Sequence, residues 1–219
     1  MIELTADEAR VLGVLIEKAQ TTPDQYPLSL NAITNGANQK NNRDPVLTMT
    51  DDQIYVAAEG LRGKGLAVRV DQPGSRVHKY RHNAIDVLHV RTGELVILAE
   101  LLLRGPQTLG ELRGRASRMH PLESLDVVKE MLRALHERSE PLAKEIPPSP
   151  GSRAERFVQL LAPGLHAFDA VGSAPAAAAP SGDPSLVDRV AKLETEVAAL
   201  RDSLRRLSQA LGEGDSSAG

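Results

Sequence analysis

Three stretches of this chain occur twice in the same order, and nothing else in it limits the fold as strongly. EARVLGVLIEK (Glu8 to Lys18) lies over ELVILAELLLR (Glu94 to Arg104) without a gap, pairing Val11 with Ile97, Leu12 with Leu98, Leu15 with Leu101 and Ile16 with Leu102. SLNAITNGA (Ser29 to Ala37) lies over TLGELRGRA (Thr108 to Ala116), keeping Leu30 with Leu109 and Ile33 with Leu112. PGSRVHKYRH (Pro73 to His82) lies over PGSRAERFVQ (Pro150 to Gln159), matching Tyr80 with Phe157. Repeated order of this kind signals one supersecondary unit used twice. We therefore expect two domains, residues 1–91 and 92–168.

Each copy carries its own start and stop signals. Thr5 with Glu8, Thr50 with Gln53 and Thr108 with Glu111 have capping-box spacing, in which a hydroxyl and a side chain three residues on satisfy free N–H groups. Helices are expected to begin there. A later helix in each copy places one apolar face inward, through Ile54, Ala57, Ala58 and Leu61 in the first and Leu125, Val128, Leu132 and Leu135 in the second. Short apolar strands follow at Leu66–Val70 and Leu142–Ile146, then a Pro-Gly turn and a returning strand with an inward aromatic. Three helices and a hairpin make a winged helix, so the expected fold is mainly α with small β-hairpin wings, duplicated.

Residues 169–184, DAVGSAPAAAAPSGDP, read as a flexible Pro/Ala/Gly/Ser linker. Beyond it Leu186, Val190, Leu193, Val197, Leu200, Leu204, Leu207 and Leu211 alternate in steps of four and three, a heptad seam over residues 185–211. Leucine at d with Val, Val, Leu and Leu at a favours a two-stranded parallel coil, hence a homodimer. In that register Arg189 faces Glu194 and Glu196 faces Arg201 on the partner, both pairs of opposite sign. A lone amphipathic helix folding back on its own domain is the alternative. Residues 212–219 read as a disordered tail.

Composition narrows the function classes. Aromatic residues make up 2% of the chain, so the core is built of Leu, Val, Ile and Ala. The chain has no cysteine, which excludes disulfides, thiol nucleophiles and thiolate metal sites. The acidic amphipathic start MIELTADEARVLG is unlike a secretory leader, and no stretch approaches the roughly 20 apolar residues of a membrane span, so the expectation is a cytoplasmic protein without membrane contact. Net charge is −3, yet each expected domain is neutral, at 11 basic and 11 acidic residues over 1–91 and 10 of each over 92–168; the excess lies beyond them. Neutral domains neither require nor forbid nucleic acid.

TTPDQYPLSLN (Thr21 to Asn31), NQKNNRDPV (Asn38 to Val46) and LLLRGPQTLGELRGRA (Leu101 to Ala116) resemble the YceH-like family of bacterial proteins, whose function is unassigned. The resemblance implies a tandem winged-helix fold and supplies no reaction, ligand or catalytic residue.

The Asn38 to Val46 stretch lies in an insertion of about a dozen residues where a minimal helix-turn-helix needs three or four. Its amides can read base edges, or they can satisfy turn backbone, with Asn in left-handed conformations, Asp44 in an Asx turn and Pro45 as a stop. Turn chemistry accounts for Asn, Asp and Pro together and leaves Lys40 and Arg43 as candidate phosphate contacts. The wing tips add Arg76 and Arg153, with Lys79 and Arg81 beside the first, as minor-groove or phosphate contacts or as charge guarding a hairpin edge. Arg113, Arg115 and Arg118 form a basic run on the second helix of the second copy, where such motifs cross the DNA backbone. Against base reading, the third helices carry Asp51 and Asp52 in one copy and Glu123 and Asp126 in the other. The six histidines have no ligand spacing beyond His78 and His82, and are expected to be solvated or hydrogen-bonded. No phosphate loop or nucleophile elbow is present. The expectation is a protein without catalytic residues, cofactor or metal. It either associates with DNA in a regulatory role or serves as an adaptor that docks partner proteins.

Overall fold

Thr5, Thr50 and Thr108 each cap a helix, with the carboxylate or amide three residues on returning to the cap N–H: Thr5 N donates to Glu8 at 2.8 Å, Thr50 N to Gln53 at 2.9 Å and Thr108 N to Glu111 at 3.0 Å. They open α1 (Ala6–Thr21), α3 (Asp51–Gly63) and α6 (Leu109–Ala116). Ser29 and Ser124 cap α2 (Leu30–Ala37) and α7 (Leu125–His136) through single hydroxyl contacts. The structure is a computed structural model that describes residues 2–71, 77–149 and 151–166. Arg76, the linker and the whole heptad segment lie outside the described residues. No helix among those described is long and apolar enough to cross a membrane.

The described residues fall within one compact unit, Met1–Val171. Its first part runs α1, β1 (Leu28–Ser29), α2, α3, β2 (Ala67–Val70) and β3 (Lys79–His82). A short helix, α4 (Ala84–Leu88), leads into α5 (Thr92–Arg104), β4 (Gln107–Thr108), α6, α7, β5 (Ala143–Ile146) and β6 (Arg156–Gln159). Each part holds a three-stranded antiparallel sheet, ordered β1-β3-β2 and β4-β6-β5. The expected hairpins are therefore joined by a third strand. At two residues each, β1 and β4 are too short to show a period of alternation.

The aromatic of each returning strand faces inward. Tyr80 stands opposite Leu28 and Arg69, and Phe157 opposite Gln107 and Glu145; both rings are buried. On α3 the expected face of Ile54, Ala57, Ala58 and Leu61 is buried throughout. On α7 Val128, Leu132 and Leu135 are buried, but Leu125, the first residue of the helix, is 48% exposed.

The two parts join through α1 and α5, the most extensively packed pair of helices. Both are buried on more than one face, as a central helix must be, from Glu8 to Glu17 on α1 and from Gly93 to Leu103 on α5. Close approach depends on Gly13, where a Cβ would lie 2.8 Å from Leu103 Cγ. Among the described residues two backbone bonds run between the parts: Leu4 N donates to Leu161 O at 2.7 Å and Asp44 N to Leu103 O at 2.9 Å.

Candidate functional site

The Asn38 to Leu47 stretch is built as a brace. Asn38 closes the loop on itself, donating from Nδ2 to Met49 O at 2.8 Å and accepting from Met49 N at 2.7 Å. Asn42 takes the left-handed conformation at φ 61°, one of the turn roles open to asparagine. Arg10, fully buried on α1, donates to the carbonyls of Ala37 at 3.2 Å and Pro45 at 2.6 Å and so holds both ends of the loop. Burial, reinforced by the nearby Arg43 charge, lowers the Arg10 pKa to about 10.

Arg43 corrects the sequence expectation. Its side chain is fully buried, with Nη2 2.5 Å from Glu17 Oε2, Nε donating to Gly36 O at 3.0 Å and Nη1 donating to Asn42 O at 2.7 Å. A guanidinium so enclosed cannot reach a phosphate. Sequence shows the cation and the turn residues around it but gives no sign that Glu17, on another element, stands opposite.

Glu17 is shared. Arg118, just past α6, places Nη1 2.6 Å from Glu17 Oε1 and Nη2 3.1 Å from Glu100 Oε2. Arg104 pairs with Glu100 at 2.9 Å and also donates to the Asn42 side chain. Two buried carboxylates, one on α1 and one on α5, thus hold three guanidinium groups where the two parts meet. Burial alone would raise the Glu17 pKa, but the hydrogen bond and charge of Arg43, joined by Arg118, keep it below the ordinary carboxylate value. Burial likewise depresses Arg104, whereas the two carboxylates outweigh it at Arg118 and raise that group. The available signal was Glu100 itself, a lone acid inside LVILAELLL, which calls for a buried partner.

The rest of the basic run also bonds within the chain, although Arg113 is exposed and Arg115 half-buried. Arg113 donates to the carbonyls of Leu122 at 3.2 Å and Glu123 at 2.9 Å, fastening the connection into α7. Arg115 pairs with Glu111 at 3.2 Å and donates to Gln107 at 2.9 Å; the buried Gln107 amide in turn reaches Glu100 O at 3.3 Å. Among the other candidates Lys40, Arg81 and Arg153 are exposed and Lys79 is half-buried. Gly151, at φ +81°, supplies the left-handed turn expected beside Arg153.

The outward faces of the third helices differ between the parts. On α3, Asp51 and Asp52 stand beside Tyr55 and Val56, which are 49% and 68% exposed, making an acidic, apolar ridge that sequence reading left unremarked. Asp51 is oriented by the Thr34 hydroxyl at 2.6 Å. Behind the ridge the Tyr80 hydroxyl donates to Glu59 at 3.1 Å and ties the sheet to α3. Burial, followed by that carboxylate, pushes the Tyr80 pKa up to about 12. Counted from its cap, Arg133 of α7 occupies the position of Glu59, and Phe157 replaces Tyr80. No hydroxyl bridge can form there, and Arg133 turns to Glu130 at 2.8 Å and Glu137 at 3.7 Å. A groove of about 500 Å³ lies between α7 and the β5–β6 sheet, lined by Leu109, Leu132 and Phe157, by Lys129, Arg133, His136 and Lys144, and by Glu130, Glu145 and Glu155.

One histidine departs from the expectation of solvated or hydrogen-bonded rings, and a second meets it at one nitrogen only. His82 packs against Tyr26, with centroids 6.1 Å apart, and its Nδ1 is buried without a partner. Burial and the neighbouring Arg81 charge lower its pKa to about 4. His166 hydrogen-bonds Asp44 O at 2.8 Å, leaves Nδ1 buried without a partner, and is also depressed by burial. Among the described residues no three His, Asp or Glu side chains are grouped to hold a metal ion.

Residues 4–152 match a family model described as "Protein of unknown function, DUF480". A UPF0502 protein of Pelobacter propionicus is 45% identical over 216 residues, covering 96% of this chain and 95% of its own. A UPF0502 protein of Geobacter sulfurreducens is 46% identical over 208 residues, 94% of each chain, and one of a Shewanella species is 41% identical over 217 residues, 96% of this chain and all of its own.

Proposed function

We propose, from the premise that this chain belongs to the DUF480 family of UPF0502 proteins, that it is a non-enzymatic adaptor whose two winged helices dock protein partners. One observation carries this reading. The arginines that looked like a phosphate-binding set are tied up within the chain, Arg43 buried on Glu17, and the exposed Arg118 and Arg113 on Glu17 and on backbone carbonyls, while the outward face of α3 offers Asp51, Asp52, Tyr55 and Val56. Phosphates repel such a face. Protein interfaces favour one, being aromatic-rich at their centre with a polar rim. We further propose that the heptad segment 185–211 pairs two copies in a parallel coil, supported by the sequence register alone; deleting residues 185–219 is then expected to halve the mass in light scattering.

A second reading, DNA association, is favoured by the exposed Lys40, Arg81 and Arg153, which form no ion pair among the described residues. Titration of the full chain against mixed duplex DNA separates the two. The adaptor reading predicts no binding that falls steeply with salt. A log–log slope corresponding to several phosphates, at about 0.9 per contact, would overturn it in favour of DNA.

A further inference from the structure

We propose that His166 is an acid-released latch that fastens the chain leaving the second part onto the joint between the two parts. Its ring lies where Gly105 carries no side chain; a Cβ on that glycine, which sits at φ +74°, would lie 2.6 Å from ring Cδ2 and 2.9 Å from Cγ. Nε2 lies 2.8 Å from Asp44 O in the Asn38 to Leu47 loop. A carbonyl only accepts, so Nε2 carries the proton and the neutral ring is left with a bare Nδ1. That atom is buried with no partner among the described residues. Protonation would put a second N–H there with nothing to accept it, which burial makes costly.

The charged groups that face the ring are Asp44 from the loop and Arg10 from α1. Asp44 favours the imidazolium and Arg10 opposes it. Arg104, next to Gly105 in sequence, is held on Glu100. Burial outweighs Asp44 and keeps the His166 pKa below its ordinary 6.5 while the latch is closed. The open ring titrates at the ordinary value, so the latch is at full strength above pH 6.5 and weakens as pH falls below it. At about pH 5 the open form gains up to about thirty-fold over its share at neutral pH.

The ring can leave without disturbing the core. The chain is fixed as far as Ala162, whose N–H and carbonyl bond the Gln159 side-chain amide at 2.7 and 2.9 Å. Beyond it Pro163 and Gly164 are exposed and Leu165 is half-buried, and among the described residues His166 supplies the hydrogen bond to another element. Opening releases residues 163–166, about 13 Å of extended chain, into the 169–184 stretch that reads as a linker, and so lengthens the tether to the heptad segment.

The full-length chain has no cysteine, so spin labels can be placed on Val56→Cys, 68% exposed on α3, and on Gly164→Cys, where a Cβ meets nothing. Labelled chain is diluted with unlabelled chain so that only distances within one copy are read. Pulsed dipolar spectroscopy should give one narrow distance at about pH 7.5 and a second, broad population that grows several-fold toward about pH 5, with helical circular dichroism unchanged. His166→Gln, whose amide can donate to Asp44 O and does not titrate, should keep the narrow distance at both. Gly105→Ala, which fills the place of the ring, should show the broad population already at the higher pH. A parent distribution that is the same at both pH values overturns the proposal. So does acid broadening that persists in His166→Gln, or a Gly105→Ala variant that keeps the narrow distance.

Discussion

A buried charge is kept only where the fold answers it, and the titratable side chains of this molecule divide on that line. Glu17 and Glu100 are answered by three arginines, whereas His82 is kept neutral by burial and by the neighbouring Arg81 charge. The His82 pKa falls from 6.5 unfolded to about 4 folded. Between those values the unfolded chain binds more protons than the folded one, so stability is full above pH 6.5, declines as pH falls, and has lost this contribution below about pH 4. Allowing for partial exposure, the loss should be of the order of 2 kcal/mol. Denaturant unfolding across that window measures it, and His82→Phe should flatten the decline; an unchanged slope in the variant would show that other groups carry it. Glu17 acts in the same direction at lower pH, because a carboxylate held below its ordinary value contributes stability that is lost as pH falls through the folded pKa.

Helix starts were legible in sequence because caps are local: Thr5, Thr50 and Thr108 act through residues three positions away. The inward rings of Tyr80 and Phe157 were legible because the repeat put them at matching positions. What sequence did not show is contact across elements. Arg43 reads as a surface cation until α1 brings Glu17 to it, and Tyr55 and Val56 read as part of an ordinary amphipathic helix until their exposure is measured. Packing of α1 on α5 makes a prediction at this scale. Gly13→Val would put its side chain into Leu103, and overpacking of that kind costs about 1–3 kcal/mol. Calorimetry should show the loss as a lowered midpoint of a single transition; an unchanged midpoint would mean the helices can separate freely at that point.

At the scale of the whole molecule, the motifs that invite a nucleic-acid reading serve to fix two similarly built parts to one another. The Asn38 to Leu47 loop bonds to α1, α2 and α5, and Arg118 reaches from the end of α6 to carboxylates on both central helices. A rigid junction holds two outward helix faces at one fixed separation, which suits a scaffold that presents surfaces to partners. The most direct test is a double-mutant cycle on Glu17 and Arg118, using Glu17→Gln and Arg118→Met and reading stability by denaturant unfolding. An interior lock predicts that each single change destabilises and that the pair is coupled by at least about 1 kcal/mol, within the range for residues in one ionic network. Single changes that leave stability intact, with coupling near zero, would contradict the lock and return Arg118 to the surface as a free contact.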